Sequence, residues 1–273
     1  MRSTAEQSAA GPDPEAQAPT GRDLADQAST GRSAVGQADD TYRRRLEVVV
    51  AGHRGDAEAA VQFLADEDAT VRAAALGALA RCGGLSAGHV RSALSDEAAQ
   101  VRRRAVELAP ADVDPTPMLD DSDASVVEAT AAALGERDWD PAPVPELCRI
   151  ARDHDDPLCR ESAVAALGAI AAGAGVSTPR TETTAASAWS APSAGTSTAD
   201  APDFRARHEE VRAAALDTLL AAMDDRPQIR RRALLGLHQF DDHRAVDAVQ
   251  ASLDDRNRQV RAVAGELLGV PVC

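Results

Sequence analysis

Two short stretches hold residue types that could ligate a metal. In HQFDDH, His238 and His243 flank Asp241 and Asp242, placing two imidazoles and two carboxylates within one hexapeptide. Neutral imidazole and carboxylate together suit zinc or a similar cation. The hexapeptide falls where one helical pattern stops and the next starts, however. An aspartate is expected there as a helix cap, and the cap is the preferred reading. In RHEEVR (207–212), His208 stands beside Glu209, and a solvated first helical turn accounts for the pair. Acids cluster at Asp120, Asp121 and Asp123 and again at Asp153, Asp155 and Asp156. Neither cluster has the central glycine and closing glutamate of an EF-hand, so turn capping explains both.

The candidate nucleophiles are as sparse. Cys82, Cys148, Cys159 and Cys273 lie far apart and form no CxxC, which argues against a disulfide framework and against a zinc module. A reducing, cytoplasmic setting is the natural expectation. Cys148 and Cys159 should fall on the two helices of one pair, as buried thiols rather than a redox couple. HRGD (53–56) contains RGD, a pattern with little meaning in a cytoplasmic chain. There is no Gly-rich phosphate loop and no GxSxG. Accordingly no catalytic residue, metal or cofactor is expected.

Three arginine triplets remain: YRRRL at 42–46, VRRRA at 101–105 and IRRRA at 229–233. They stand in a chain of net charge −15 whose 29 basic residues are all arginine. Such an acidic excess disfavours nucleic acid and anionic membranes as partners. No apolar run approaches the roughly 18 residues of a membrane span, and the opening residues show no apolar secretory core. A cationic surface and a repeating architecture are the two ways to read the triplets, and the elements that carry them decide between the two.

Alanine and leucine dominate and aromatics make up 2% of the chain, which favours helix over sheet. Apolar anchors recur at Tyr42, Val71, Val101, Val126, Cys159, Ile229 and Val260, about 30 residues apart except across one insertion. The fourth position after each anchor is Leu46, Ala75, Ala105, Thr130, Ala163, Ala233 or Ala264. Apolar residues also fill most of the eighth positions, so anchor, fourth and eighth share one helical face. Before the anchors stand Asp40, Asp68, Asp96, Asp123, Asp156, Asp225 and Asn257, expected as caps. A second amphipathic segment precedes most of these turns. The one at 110–121 is proline-rich and should be short or distorted.

This pattern resembles HEAT-like repeats. The resemblance is carried by DEDATVRAAALGALA (66–80), SDEAAQVRRRAVELA (95–109), DDRPQIRRRALLGL (224–237) and DDRNRQVRAVAGELL (254–268). It implies an all-α right-handed α-solenoid of about six helix pairs plus an N-terminal capping helix at 42–52. The repeats should occupy 41–171 and 207–273. Residues 1–40 are expected as a disordered tail, and 172–206 as a flexible low-complexity insertion in which a lone Trp189 is incidental.

The resemblance also implies function. Most such arrays are non-catalytic protein-binding scaffolds, with another protein or a peptide as partner. A minority are enzymes or accessories. Deoxyhypusine hydroxylase builds a di-iron site from several His-Glu pairs, whereas only His208 and Glu209 match here. The phycobilin lyases and related chaperones share the repeat, but no pigment site stands out.

Helical geometry then separates the arginines. The residue after the anchor is arginine in six of seven repeats: Arg43, Arg72, Arg102, Arg160, Arg230 and Arg261, with Val127 the exception. At the edge of the buried face such an arginine can lay its stem on the core and pair with a turn carboxylate. The expectation is an Asp–Arg ladder of surface pairs. The next, exposed row is Arg44, Ala73, Arg103, Glu128, Glu161, Arg231 and Ala262. Acids interrupt it, and no aromatics interleave, so it makes a poor polyanion track. Arg44, Arg103, Arg104, Arg231 and Arg232 are the candidate protein-binding residues, suited to an acidic partner.

Overall fold

The computed structural model describes residues 21–137, 140–174 and 201–271. The chain divides into two compact units, residues 1–47 and 48–273. In the first, the described backbone belongs to helix α1 (Gly21–Arg54). That helix begins inside the stretch expected as a tail, while residues 1–20 lie outside the described residues. No proline occurs between Pro19 and Pro110, so none interrupts the backbone ladder of α1. The helix stops at Gly55, whose φ of 75° is a left-handed conformation that glycine adopts without a Cβ clash.

The anchor phase expected for this helix needs correction. Tyr42 is 69% exposed and Leu46 51% exposed, whereas Val48 and Ala51 are buried. The run LEVVV (46–50) places apolar side chains on several adjacent faces, so the sequence alone does not select which one is covered.

The second unit is a succession of helix pairs. They are α2 (Ala57–Val61) with α3 (Ala69–Arg81), and α4 (Ala87–Ala93) with α5 (Ala99–Glu107). A 3-10 turn, Thr116–Asp120, then pairs with α6 (Ala124–Gly135). The remaining pairs are α7 (Val144–Asp153) with α8 (Pro157–Ala174), α9 (Ala201–Ala221) with α10 (Pro227–Leu237), and α11 (His243–Ala251) with α12 (Arg258–Leu268). No strand occurs among the described residues. The architecture is an all-α, HEAT-like solenoid. The proline-rich 110–121 stretch does reduce to a single 3-10 turn, as Pro110, Pro115 and Pro117 require. Helix α8 runs to Ala174 and α9 starts at Ala201, so both reach into the expected insertion. Residues 175–200, with Trp189, lie outside the described residues, as does Cys273.

The anchors explain the packing. Val71, Val101, Val126, Cys159, Ile229 and Val260 are all buried, and so are Ala75, Ala105, Ala163, Ala233 and Ala264 four residues on. Thr130 replaces alanine in one repeat and stays buried by donating its hydroxyl to the Val126 carbonyl at 2.7 Å. Small residues elsewhere allow successive second helices to approach. A Cβ on Gly168 would lie 2.8 Å from the Gly236 Cα, and one on Gly135 would lie 2.9 Å from the Ala166 Cα. The close approach therefore runs through these glycines as well as along the row of buried alanines.

Candidate functional site

The first question is what the arginines touch. Arg72 forks onto Asp96 at 2.8 and 2.7 Å, and Arg102 onto Asp121 at 2.7 Å twice. Arg160 grips Asp225 at 2.7 and 3.0 Å, and Arg230 grips Asp255 at 2.8 and 2.7 Å. Each guanidinium reaches from one repeat to the turn that opens the next second helix. Each also donates back to carbonyls of its own turn; for Arg102 these are Asp96 at 2.9 Å and Glu97 at 3.0 Å. Arg261, in the last repeat, makes only the backward contact among the described residues, to the Asp255 carbonyl. In the first unit Arg43 pairs with Asp40 on its own helix.

The expected ladder is therefore present, with one correction to its character. The four rungs are bidentate and largely buried rather than surface pairs.

The turn acids divide into two roles that the sequence had merged. Asp68, Asp123, Asp156 and Asn257 are the caps and accept from Thr70, Ser125, Leu158 and Gln259 N–H groups. Asp96 and Asp225, expected as caps, are rung acids instead. Asp96 accepts from the Ala98 N–H, Asp121 from Asp123, and Asp255 from Asn257, so each rung acid also ties its own turn. The hydrogen bond from Arg102 holds the Asp121 carboxyl below the usual carboxylate range, and Arg160 does the same for Asp225. At Asp96 and Asp255 burial opposes ionisation, yet Arg72 and Arg230, with the turn N–H groups, still bring both carboxyls down.

One joint has no rung. Val127 takes the arginine position and is buried, and His154 takes the place of the acid in the following turn. His154 keeps the acid's turn contact, since its Nδ1 accepts from the Asp156 N–H at 3.0 Å. Both partners of the ion pair are replaced together, which leaves no uncompensated charge.

The second and third arginines of each triplet behave differently. Arg103 and Arg104 both pair with Glu107 on their own helix. Arg231 donates to Gln259 at 3.3 Å, and Arg232 to Glu161 of the preceding repeat at 3.3 Å. Arg44 is half-buried on α1. Arg103 and Arg231 share their register with Glu128 and Glu161, so the exposed face of the second helices changes sign along its length.

At the acidic middle of that face lies a groove of about 420 Å³ across α6, α8 and α10. It continues into a smaller pocket of about 200 Å³ that shares Ala165, Ala169 and Arg232. The floor is alanine and glycine, with Glu128, Glu136 and Glu161 beside it. Leu158 at one end is 61% exposed and Leu235 at the other 45%. Apart from Arg232, these groove residues were not singled out as binding residues by sequence reasoning. Two signals pointed there: glutamate replacing arginine at 128 and 161, and alanine at the sixth position after the anchor, Ala132 and Ala165.

The other candidates resolve into local structure. Asp242 caps α11 by accepting from the Arg244 N–H, and His243 is exposed. Glu209 is exposed on α9 and His208 is half-buried. Among the described residues no three His, Cys, Asp or Glu side chains gather as metal ligands. Cys148 and Cys159 point apart, to the Ala214 carbonyl and the Ala124 carbonyl. Burial pushes both thiols up, Cys159 to about 11, so neither is an activated nucleophile. Asp56 of the RGD tripeptide caps α2. No described helix is long and apolar enough to cross a membrane.

No protein-family model and no curated protein matches the chain. Solved structures do match, remotely. A designed armadillo repeat protein in complex with the peptide (KR)4 is 14% identical, over 81% of this chain and 84% of that one, with a TM-score of 0.40. The complex of CpcE and CpcF of phycocyanin lyase from Nostoc is 17% identical, over 81% and 99%, with a TM-score of 0.37. Human deoxyhypusine hydroxylase is 19% identical, over 84% and 97%, with a TM-score of 0.22. At these scores no residue correspondence and no activity transfers. The architecture rests on the helix pairs themselves.

Proposed function

We propose that the chain is a non-catalytic, protein-binding scaffold that receives a peptide segment of its partner in the groove across α6, α8 and α10. The observation that carries this reading is the groove's floor. Small residues line a continuous trough between two exposed leucines, Leu158 and Leu235. Apolar side chains left in water beside a concave surface suit a complementary chain. Arg103, Arg104, Arg231 and Arg232 flank the trough along the repeat register and supply rim contacts, with Arg44 a further candidate on α1. An acidic partner would have to displace Glu107, Glu161 or Gln259 from them. The trough is therefore the better centre of the site.

The test is selection of peptides from a random display library on the intact chain, followed by affinity measurement against Ala165→Trp, which fills the trough. Selected peptides should lose about tenfold or more in affinity, as expected when an anchor pocket closes, while the variant's melting temperature is kept. Selected peptides that bind the variant equally well, or a library that yields none, would overturn the reading.

A further inference from the structure

We infer that the groove selects a basic segment: a partner peptide that places a Lys or Arg side chain among Glu128, Glu136 and Glu161. This rests on the groove reading above and adds the chemical class of its occupant.

The inference starts from the balance of charge inside the trough. Helix α6 with its C-cap residue Glu136 and helix α8 supply three carboxylates to its lining, and α10 supplies one guanidinium, Arg232. Arg232 is already committed, with its Nε 3.3 Å from Glu161. Among the described residues, Glu128 accepts a long hydrogen bond from the Ser162 hydroxyl, at 3.4 Å, and forms no ion pair. Glu136 is exposed and has no ion-pair partner among the described residues. After internal pairing, negative charge remains in a concave, partly apolar setting, where field lines concentrate and a cation is favoured.

Shape agrees with charge. Lys and Arg carry long methylene stems that lie well on apolar surface while their heads stay polar. The alanine floor at Ala132, Ala165 and Ala169 offers that surface beside the carboxylates. Exposed Leu158 at the rim can meet an apolar neighbour in the same segment. An acidic segment would meet three like charges, and a wholly apolar one would leave the carboxylates beside an oily ligand. The net charge of −15 adds long-range attraction for a basic partner and speeds encounter at low salt.

The test uses the intact chain and three dye-labelled peptides of equal length, alternating leucine with arginine, glutamine or glutamate, read by fluorescence anisotropy. The arginine peptide should bind about tenfold or more tightly than the glutamine peptide, and the glutamate peptide should not bind. Affinity should fall about tenfold in the triple variant E128Q/E136Q/E161Q, fall with added salt, and be lost in Ala165→Trp. If the glutamine peptide binds as tightly as the arginine peptide and Ala165→Trp abolishes both, the basic preference is wrong and the groove stands. Arginine-peptide binding that ignores the triple variant would overturn the inference, since the cation would then be held elsewhere. If spermine binds at the glutamates and no peptide does, the site is a bare cation site and the inference fails. No binding by any probe sinks both readings.

Discussion

The repeats before and after Leu119 are joined differently. In the earlier stretch the buried apolar residues fall into small clusters: one around Val48, Val71 and Leu79, one around Leu76, Val90 and Val101, and one that carries Val106 of α5 onto Val126 of α6. From Leu119 to Ala264 a single cluster runs unbroken through every helix from α6 to α12. Rungs occur in both stretches, yet they do different things. Arg72–Asp96 and Arg102–Asp121 span joints that are each crossed by one small, separate cluster, from α3 to α5 and from α5 to α6. Arg160–Asp225 and Arg230–Asp255 lie over a core that is already continuous. In a linear array, stability is roughly a sum of repeat terms and interface terms. The ion pairs should therefore dominate coupling in the first stretch and merely add to it in the second.

The sharpest way to break this contrast is to remove one rung from each stretch. Arg102→Met should cost about 3 kcal/mol, because it strands a largely buried Asp121 and leaves two turn carbonyls without their donor. Arg230→Met should cost a similar local amount. The difference lies in cooperativity. Denaturant unfolding followed by hydrogen exchange should split into two transitions for Arg102→Met, with α3 and α5 opening first, and stay single for Arg230→Met. A single transition in both variants would mean that the ladder does not couple the early repeats.

The ladder also shows how far the residues could be read before the structure. The arginine one place after each anchor was legible because helical geometry puts that position at the edge of the buried face whatever the partner. Which acid it grips was not. Each turn offers two or three acids a residue apart, and only backbone path separates the cap at Asp68 or Asp123 from the rung at Asp96 or Asp121. The groove was half legible. Glutamates replacing arginine at 128 and 161 showed in the register, but a trough depends on how closely α6, α8 and α10 approach. That distance is set by glycine contacts such as Gly168 on Gly236, which pair residues far apart in sequence.

Acid should separate the two stretches next, with a smaller effect, since protonation removes the charge of a rung without removing its side chains. Asp121 and Asp225 have carboxyls depressed below the ordinary value of 3.8. A group whose pKa is lowered on folding stabilises the folded state above its unfolded pKa, and that contribution fades as pH falls through the folded value. Both rungs thus act in full at neutral pH and weaken together below about pH 4. The early repeats, with small, separate clusters, should lose amide protection at a higher pH than α8 and α10. Protection lost first from α8 and α10 would reverse the assignment.

The subtlest test concerns the joint without a rung. Val127→Arg alone buries an unpaired guanidinium at a site that is 1% exposed, and should be clearly destabilising. His154→Asp alone puts a carboxylate in the turn without its usual arginine. Together they rebuild the motif seen at the other four joints, and the double variant should recover most of the loss. The measurable quantity is the coupling energy from the double-mutant cycle, expected at about 1–3 kcal/mol for residues in direct contact. The net change against the parent chain should stay within about 1 kcal/mol, because a well-packed apolar contact and a buried ion pair of similar volume are close to equivalent. A coupling near zero would show that Val127 and His154 do not face one another across the joint. The absence of a rung there would then be a local accident of two turns rather than the substitution of one joint chemistry for another.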